Sequence, residues 1–386
     1  MSEIPASIYV HIPWCVRKCP YCDFNSHEFG AELQEGDYLL ALQHDISAEA
    51  DRFKGREISS VFFGGGTPSL FSAAGISRII DLVAANFRIA PNVEITLEAN
   101  PGTVEQGKFA AFRTAGVNRI SLGVQSFDEN HLRGLGRIHT ASEAQRAIGS
   151  IIDAGFERWN IDLMHGLPEQ TKKEAIHDLE MALSFQPSHV SWYQLTIEPN
   201  TVFYNTKPSL PNDDILADIQ DTGHALLASS CLAQYEVSAY ATPEQRCQHN
   251  LNYWNFGDYA ALGAGAHGKH SSADANRLTV DRYWKQRQPN TYITDVNKQA
   301  GNRMLTEQDL IFEFMLNALR LLEGFDVQVF EARTGLPYSR IAKDIDQLVA
   351  EDLLGVEQQQ IATTALGQRF LNDVTARFLN GQENLQ

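Results

Sequence analysis

Short apolar runs rich in β-branched residues recur along the first 230 positions, and between them lie longer stretches whose apolar residues return every three to four positions. The runs at 8–11, 58–63, 93–98, 119–124, 159–164 and 190–197 predict strands. The segments at 37–52, 76–86, 103–115, 141–154, 171–185 and 213–230 predict helices. Regular alternation of the two implies parallel β/α units, because a parallel pair needs a long crossover that a helix supplies. Six such units predict an α/β fold closed into an incomplete barrel rather than a doubly wound sheet, although strand order is invisible in the sequence. One echo supports the repeat: Ala115-Gly-Val-Asn-Arg119 and Ala154-Gly-Phe-Glu-Arg158 fall at two helix-to-strand junctions. Gly116 and Gly155 there suit left-handed helix caps.

Past residue 230 the pattern weakens. Residues 231–303 are expected to form an irregular connecting region, with one strand at 235–239 and a loop-like stretch of Gly, Asn and aromatic residues. From 304 the helical period returns. Helices at 306–322, 327–334 and 338–351 and a run at 353–364 predict a mainly helical, winged-helix-like domain over 304–386, after a barrel over 1–230. Winged helices commonly bind DNA, but residues 304–386 hold 6 Lys/Arg against 13 Asp/Glu, and the chain as a whole carries −17. Phosphate binding depends on cations displacing counterions, so no nucleic acid is expected as a partner, and the domain reads as a packing or partner-binding unit. No apolar run is long enough for a membrane span, and the first residues show neither the basic start nor the apolar stretch of a secretory signal. Five cysteines make an odd number for a disulfide framework, which favours a reducing cytoplasm.

Three of those cysteines are crowded together. Cys15, Cys19 and Cys22 form a C-x3-C-x2-C run directly after the first predicted strand, while Cys231 and Cys247 read as ordinary buried thiols. Three thiolates hold three irons of a [4Fe–4S] cluster and leave the fourth iron open to a small chelating molecule. The bland alternative is a zinc knuckle, yet His11 and His27 complete no familiar zinc spacing. The run is the signature of the radical S-adenosylmethionine (SAM) superfamily, which implies that the open iron holds the amino and carboxylate groups of SAM.

Functional residues of a parallel barrel gather at the C-terminal ends of its strands, and polar residues fall there in this chain. Gly64-Gly-Gly-Thr-Pro-Ser69 follows the second strand; its glycines permit close backbone approach, and Thr67 with Pro68 resembles a helix start offering free N–H groups to an anion. An ordinary tight turn explains the same run. Glu98, Gln125 and Asp162 close the third, fourth and fifth strands, where SAM's hydroxyls and cationic end would find acceptors, and Arg137 could meet its carboxylate. Taken singly, each is more often a solvated strand terminus. Tyr21 would pack beside the adenine or simply cover the cluster.

Longer matches then point to one family. Tyr9-Val-His-Ile-Pro-Trp-Cys15, the Gly64 run, Glu98-Ala-Asn-Pro-Gly-Thr103, Leu122-Gly-Val-Gln-Ser-Phe127, Leu135-Gly-Arg-Ile-His139, Asn160-Ile-Asp-Leu-Met-His-Gly-Leu-Pro168 and His249-Asn-Leu-Asn-Tyr-Trp254 resemble the HemW haem chaperones over nearly the whole chain. HemW proteins are relatives of HemN, the oxygen-independent coproporphyrinogen III dehydrogenase. The resemblance implies a partial (β/α)6 radical SAM barrel with a HemW-type C-terminal domain, and SAM contacts at Tyr9, Tyr21, Gly65, Gly66, Thr67, Glu98, Gln125, Arg137 and Asp162. It also implies haem binding and delivery to acceptor haem proteins, respiratory ones foremost. HemN proteins carry a further cysteine two positions after the third cluster ligand, where this chain has Phe24, and a longer segment before the cluster. Both departures count against the alternative, a porphyrinogen-decarboxylating oxidoreductase; radical modification of RNA ranks last. His249 of the HNxxYW motif is the first candidate for axial haem ligand, with His267 and His270 as rivals. An electron donor and a second copy of the chain are the further partners this reading allows.

Overall fold

The computed structural model describes residues 4–30, 32–102, 107–274 and 277–379. Six strands, β1 (Ala6–Ile12), β2 (Glu57–Gly65), β3 (Arg88–Ala99), β4 (Arg119–Gln125), β5 (Arg158–His165) and β6 (His189–Gln194), lie side by side in chain order, all parallel. Each predicted strand is present, a residue or more longer or shorter at its ends. Between the strands run α1 (Glu35–Ala50), α2 (Ala73–Asn86), α3 (Phe109–Thr114), α4 (Glu129–Gly134), α5 (Ala141–Asp153) and α6 (Lys172–Ser184), followed after β6 by α7 (Val202–Thr206) and α8 (Asp213–Ala228). Of the helix expected at 103–115, residues 103–106 lie outside the described residues. Gly116 and Gly155 adopt φ of +107° and +76° at the helix ends, as their spacing implies.

The alternating period of the strands separates packing from chemistry. Ile8, Val10, Val61, Phe63, Leu97, Ile120, Leu122, Ile161 and Leu163 are buried against Ile76, Ile79, Ala144, Ile148, Ile151 and Leu179 of the surrounding helices. Side chains at intervening positions, among them Tyr9, Phe62, Glu98, Ser121, Asp162 and Ser191, face the interior of the curve. Helices α5 and α6 begin with reciprocal capping boxes, Thr140 with Glu143 and Thr171 with Glu174, which satisfy first-turn N–H groups and fix where each helix starts.

The region expected to be irregular is regular. Residues 231–303 carry β7 (Ala233–Glu236), β8 (Ala239–Ala241), α9 (Gln248–Trp254), β9 (Asp258–Leu262), β10 (His267–Asp274), β11 (Arg277–Lys285), α10 (Pro289–Thr294) and β12 (Gln299–Met304). Strand β9 lies parallel to β1, as a seventh parallel strand, and the antiparallel β10, β11 and β12 extend that edge while β8 and β7 extend the other. The hydrophobic pattern hid these strands for a physical reason. β9 is built of small alanines around a buried aspartate, and the hairpin holds its place through buried ion pairs: Lys269 Nζ lies 2.8 Å from Asp258 Oδ1, and Lys285 Nζ lies 2.5 Å from Asp45 and 2.7 Å from Glu49 on α1.

Beyond β12, α11 (Glu307–Ala318), α12 (Val327–Thr334) and α13 (Ala342–Ala350) enclose a second core of Phe314, Met315, Phe330, Ile345 and Leu348, joined by Phe256 and Val280 from the preceding region. The run at 353–364 is a hairpin, Leu354–Glu357 with Gln360–Thr363, capped by the two-residue strand Phe325–Asp326. Among the described residues no helix is long and apolar enough to cross a membrane.

Candidate cofactor-binding site

The cysteine loop leaves β1 and folds back on itself: Trp14–Cys15 pairs with His27–Glu28, His27 N–H donates to Pro13 O at 2.7 Å, and Cys22 N–H to Cys19 O at 3.1 Å. The glycine run at the end of β2 crosses directly beneath it. Gly66 N–H donates to Ile12 O at 2.8 Å and Thr67 N–H to Trp14 O at 2.7 Å, while Gly65 N–H reaches Glu98 Oε2 at 3.2 Å. These N–H groups are therefore engaged, and at the helix start expected to offer free donors to an anion, Leu70 N–H turns back to Thr67 O at 3.0 Å. The glycines are needed because the cysteine loop's backbone meets Gly66 and the His11 ring meets Gly65. A Cβ at Gly66 would stand 2.5 Å from Trp14 O, and at Gly65, with φ +113°, 2.5 Å from the His11 ring.

Above this crossing opens a cavity of about 600 Å³. Its lining brings together Cys15, Cys19, Cys22, Tyr9, Tyr21, Gly65, Gly66, Thr67, Glu98, Gln125, Arg137, Asp162 and His249, the full set singled out from the sequence. His267 and His270 lie outside it. Each cysteine sulfur meets a different polar group: Thr67 Oγ1 donates to Cys15 Sγ at 3.6 Å, Arg137 Nη1 to Cys19 Sγ at 3.8 Å, and Ser26 Oγ lies 3.7 Å from Cys22 Sγ. Donors of this kind stabilise thiolates and orient metal ligands, so the loop fits a group held by three separate sulfurs. Among the described residues no three His, Cys, Asp or Glu side chains converge on a single metal-ion position.

The rest of the cavity is a set of buried charges with few counter-charges. Burial and the nearby Asp162 raise the Glu98 carboxyl to about 8. Asp162 is raised by burial as well, against the opposing pull of hydrogen bonds from Asn160 Nδ2 at 2.8 Å and Ser121 Oγ at 2.9 Å. Arg137 is tied to Asn100 Oδ1 at 2.6 Å and Gly123 O at 2.7 Å, and its Nε is buried without a hydrogen bond. Gln125 sits at φ +70°, a strained position for a residue with a Cβ, and accepts from Tyr193 O–H at 2.7 Å. Two half-buried carboxyls and a guanidinium on one cavity wall suit a ligand with hydroxyl donors, a cationic end and a carboxylate, which is the chemistry of SAM. Tyr9 O–H meets His11 Nδ1 at 3.0 Å, and Tyr21 packs against Phe203 with ring centroids 6.3 Å apart.

His249 lies deeper. Its ring is 1% exposed, stacked on Phe62 at 4.8 Å and met edge-on by Tyr253 at 4.9 Å, with Nδ1 3.1 Å from Ser60 Oγ. Burial and the Arg119 charge hold it neutral by lowering its pKa to about 3, and Nε2 has no partner. Asn100 escaped the sequence reading although it joins Thr67 to Arg137, donating to Thr67 Oγ1 at 2.8 Å. Its place within Glu98-Ala-Asn100-Pro-Gly was the available signal. Nothing in the sequence marked Tyr193 or Ser121 as wall residues.

A curved parallel sheet with three cysteines on the loop after β1 defines the radical SAM class, and the Radical SAM superfamily model matches residues 9–182; the HemN C-terminal domain model matches residues 305–370. The chain belongs to the HemW family. It is 45% identical over 384 residues to the haem chaperone HemW of Haemophilus influenzae, covering 97% of this chain and 98% of that protein. Against HemW of Escherichia coli it is 46% identical over 375 residues, again covering 97% and 98%, and against that of Mycobacterium tuberculosis 32% identical, covering 99% and 96%. The solved structure of coproporphyrinogen III oxidase HemN from Escherichia coli superposes with a TM-score of 0.81 at 24% identity, covering 98% of this chain and 91% of that one. At that identity the likeness speaks for the fold alone.

Proposed function

We propose that this protein is a haem chaperone that binds haem and hands it to acceptor haem proteins, with a [4Fe–4S] cluster and SAM resident in its barrel. The observation that carries the reading is the full-length likeness to HemW chaperones. Cys15, Cys19 and Cys22 hold the cluster, each sulfur steadied by Thr67, Arg137 or Ser26. Glu98 and Asp162 receive the hydroxyl and cationic groups of SAM, Arg137 its carboxylate, and Tyr9, Tyr21, Gly65, Gly66, Thr67 and Gln125 shape the walls around it. A reduced cluster supplies one-electron chemistry toward SAM. Bound SAM and cluster would hold the loop of Cys15, Cys19 and Cys22 in one conformation, and any preference of that conformation for haem would shift the population toward the haem-competent state.

Respiratory haem proteins in the cytoplasmic reach of this chain are the acceptors, an electron donor serves the cluster, and a homodimer is the working assembly. Domain limits at 230 and 303 are kept in this reading as functional divisions of barrel, connecting region and C-terminal unit. The test is anaerobic reconstitution followed by two assays on one preparation. Haem should pass to a separated apo-haem protein, and coproporphyrinogen III should be left unchanged under excess SAM and reductant. Sustained decarboxylation would replace the chaperone by the oxidoreductase.

A further inference from the structure

We infer that haem docks at the outer mouth of the barrel, against Phe24 and the aromatic hollow beside it, with His267 as its axial ligand. The inference rests on the chaperone reading and moves the ligand away from His249. A histidine bound to haem iron needs clear space around its coordinating nitrogen in all directions of the macrocycle plane. His249 is stacked on Phe62, flanked by Tyr253, hydrogen-bonded to Ser60 and anchored by its own N–H to Glu94 Oε1 at 3.2 Å, inside the chamber assigned to SAM. One turn later on the same helix, Tyr253 borders both that chamber and a second hollow of about 300 Å³ at its mouth, as do Tyr9 and Phe24. The motif's tyrosine thus reaches the mouth while its histidine stays within.

The outer hollow has what a flat, apolar, dianionic ligand needs. Tyr9, Phe24, Tyr253 and Tyr259 give it aromatic walls, and Arg287 stands at its edge with Asp23. Phe24 is 60% exposed on a loop that is otherwise pinned. Its carbonyl accepts from Ser26 N–H at 2.7 Å and Lys18 Nζ at 3.0 Å, and the neighbouring Asn25 side chain donates to Ala264 O at 3.1 Å and Arg287 O at 2.9 Å. A large aromatic held rigidly in solvent is not explained by packing, and it marks a surface that something flat covers. Arg287 makes no ion pair with a described carboxylate, so its charge is available to a propionate. Two histidines line the hollow. His11 has both ring nitrogens engaged, by Tyr9 O–H at 3.0 Å and Asn25 O at 2.9 Å, whereas the exposed His267, its ring stacked on Trp284 at the looser centroid distance of 6.2 Å, has no hydrogen-bond partner for either nitrogen among the described residues. His270, three positions along the same strand, falls on the opposite face beside Phe53.

Haem titration of cluster-reconstituted protein, followed by absorption and resonance Raman spectra, tests the placement. His267→Ala should lose the histidine-ligated spectrum and weaken binding by roughly tenfold or more. Phe24→Ala should weaken binding without moving the band, and Arg287→Glu should weaken it by about threefold to fivefold, the size of an exposed charge contact. His270→Ala should match the wild type, and unchanged iron and sulfide content verifies that each variant is folded. A His267→Ala protein that keeps the wild-type haem spectrum overturns the inference while leaving the chaperone reading intact. Wild-type protein that takes up no haem overturns both.

Discussion

Asp258, fully buried, and Glu98, half-buried on the cavity wall, are carboxyls on parallel strands, yet they stand in opposite electrostatic states. Asp258 accepts from Lys269 Nζ at 2.8 Å, Arg56 Nη1 at 2.6 Å, and both the N–H and the hydroxyl of Ser271, and Lys269 and Arg56 hold it down at about 2 despite burial. Glu98 has one backbone donor and a second carboxyl for a neighbour, and it rises to about 8. Burial penalises the charged form in both; the difference lies in whether the protein itself supplies the counter-charge. Where it does, the group holds β9, β10 and the Arg56 turn together. Where it does not, as around Glu98, the protein has left a polar group for a ligand to complete, and such places are candidates for function.

The largest expected effect lies on the unfinished side. Cys19→Ser should abolish normal cluster assembly, measured as loss of most iron and acid-labile sulfide with a changed Mössbauer signature. On the finished side, Lys269→Met leaves Asp258 with a broken buried pair and should destabilise the fold by about 3–5 kcal/mol in chemical denaturation. Lys269→Met combined with Asp258→Asn should recover part of that loss. If the single variant costs under about 1 kcal/mol, the network is not the brace described.

Glu98→Gln sharpens the contrast, because the amide imitates the protonated carboxyl. It should leave the stability of the SAM-free protein within about 1 kcal/mol while weakening SAM by roughly tenfold or more, the scale of a hydrogen bond to a charged group. The two carboxyls also give opposite pH signs. For Asp258 the native value of about 2 lies below the ordinary 3.8, so its stabilisation is present above 3.8 and is lost as pH falls toward 2. For Glu98 the native value of about 8 lies above the ordinary 4.5, so the native state holds the extra proton and stability from this group declines as pH rises from 4.5 to 8. Glu98→Gln should flatten that decline. A cationic ligand favours the carboxylate, so wild-type affinity for SAM should rise with pH up to about 8, and the variant should lack this rise. The smallest effect belongs to solvent: Arg377→Ala breaks the exposed 2.7 Å pair with Glu351 and should cost less than about 1 kcal/mol by thermal denaturation.

The same contrast explains what was legible in the sequence. Strands β1 to β6 announce themselves because their apolar residues repeat at the strand period; strand ends and the cysteine spacing showed a plausible pocket at Cys15, Cys19, Cys22, the glycine run, Glu98, Gln125 and Asp162, while only the family resemblance placed Tyr9 there. Strands β9 to β12 were not, since their stability rests on pairs such as Lys269 with Asp258 and Lys285 with Asp45, whose partners are far apart in the chain. The role of Gly65 and Gly66 was half visible. Close approach was foreseen, but the partners, the backbone of Trp14 for Gly66 and the His11 ring for Gly65, are contacts that only the folded chain reveals. His249 was singled out by its motif as the first candidate haem ligand, while the burial and confinement of its ring by Phe62 and Tyr253 depend on strand register that no local pattern carries.

The central claim is tested most directly by following haem from donor to acceptor. Cluster-reconstituted protein loaded with one equivalent of haem is separated by a membrane-free pull-down from an apo-haem protein after timed mixing, and haem is quantified on each. The chaperone account predicts that the acceptor gains the haem the donor loses, faster than free haem captured through solution by a scavenger such as excess apomyoglobin would allow. Haem that stays on the donor, or that reaches the acceptor only at the rate at which the scavenger removes it, would contradict the account.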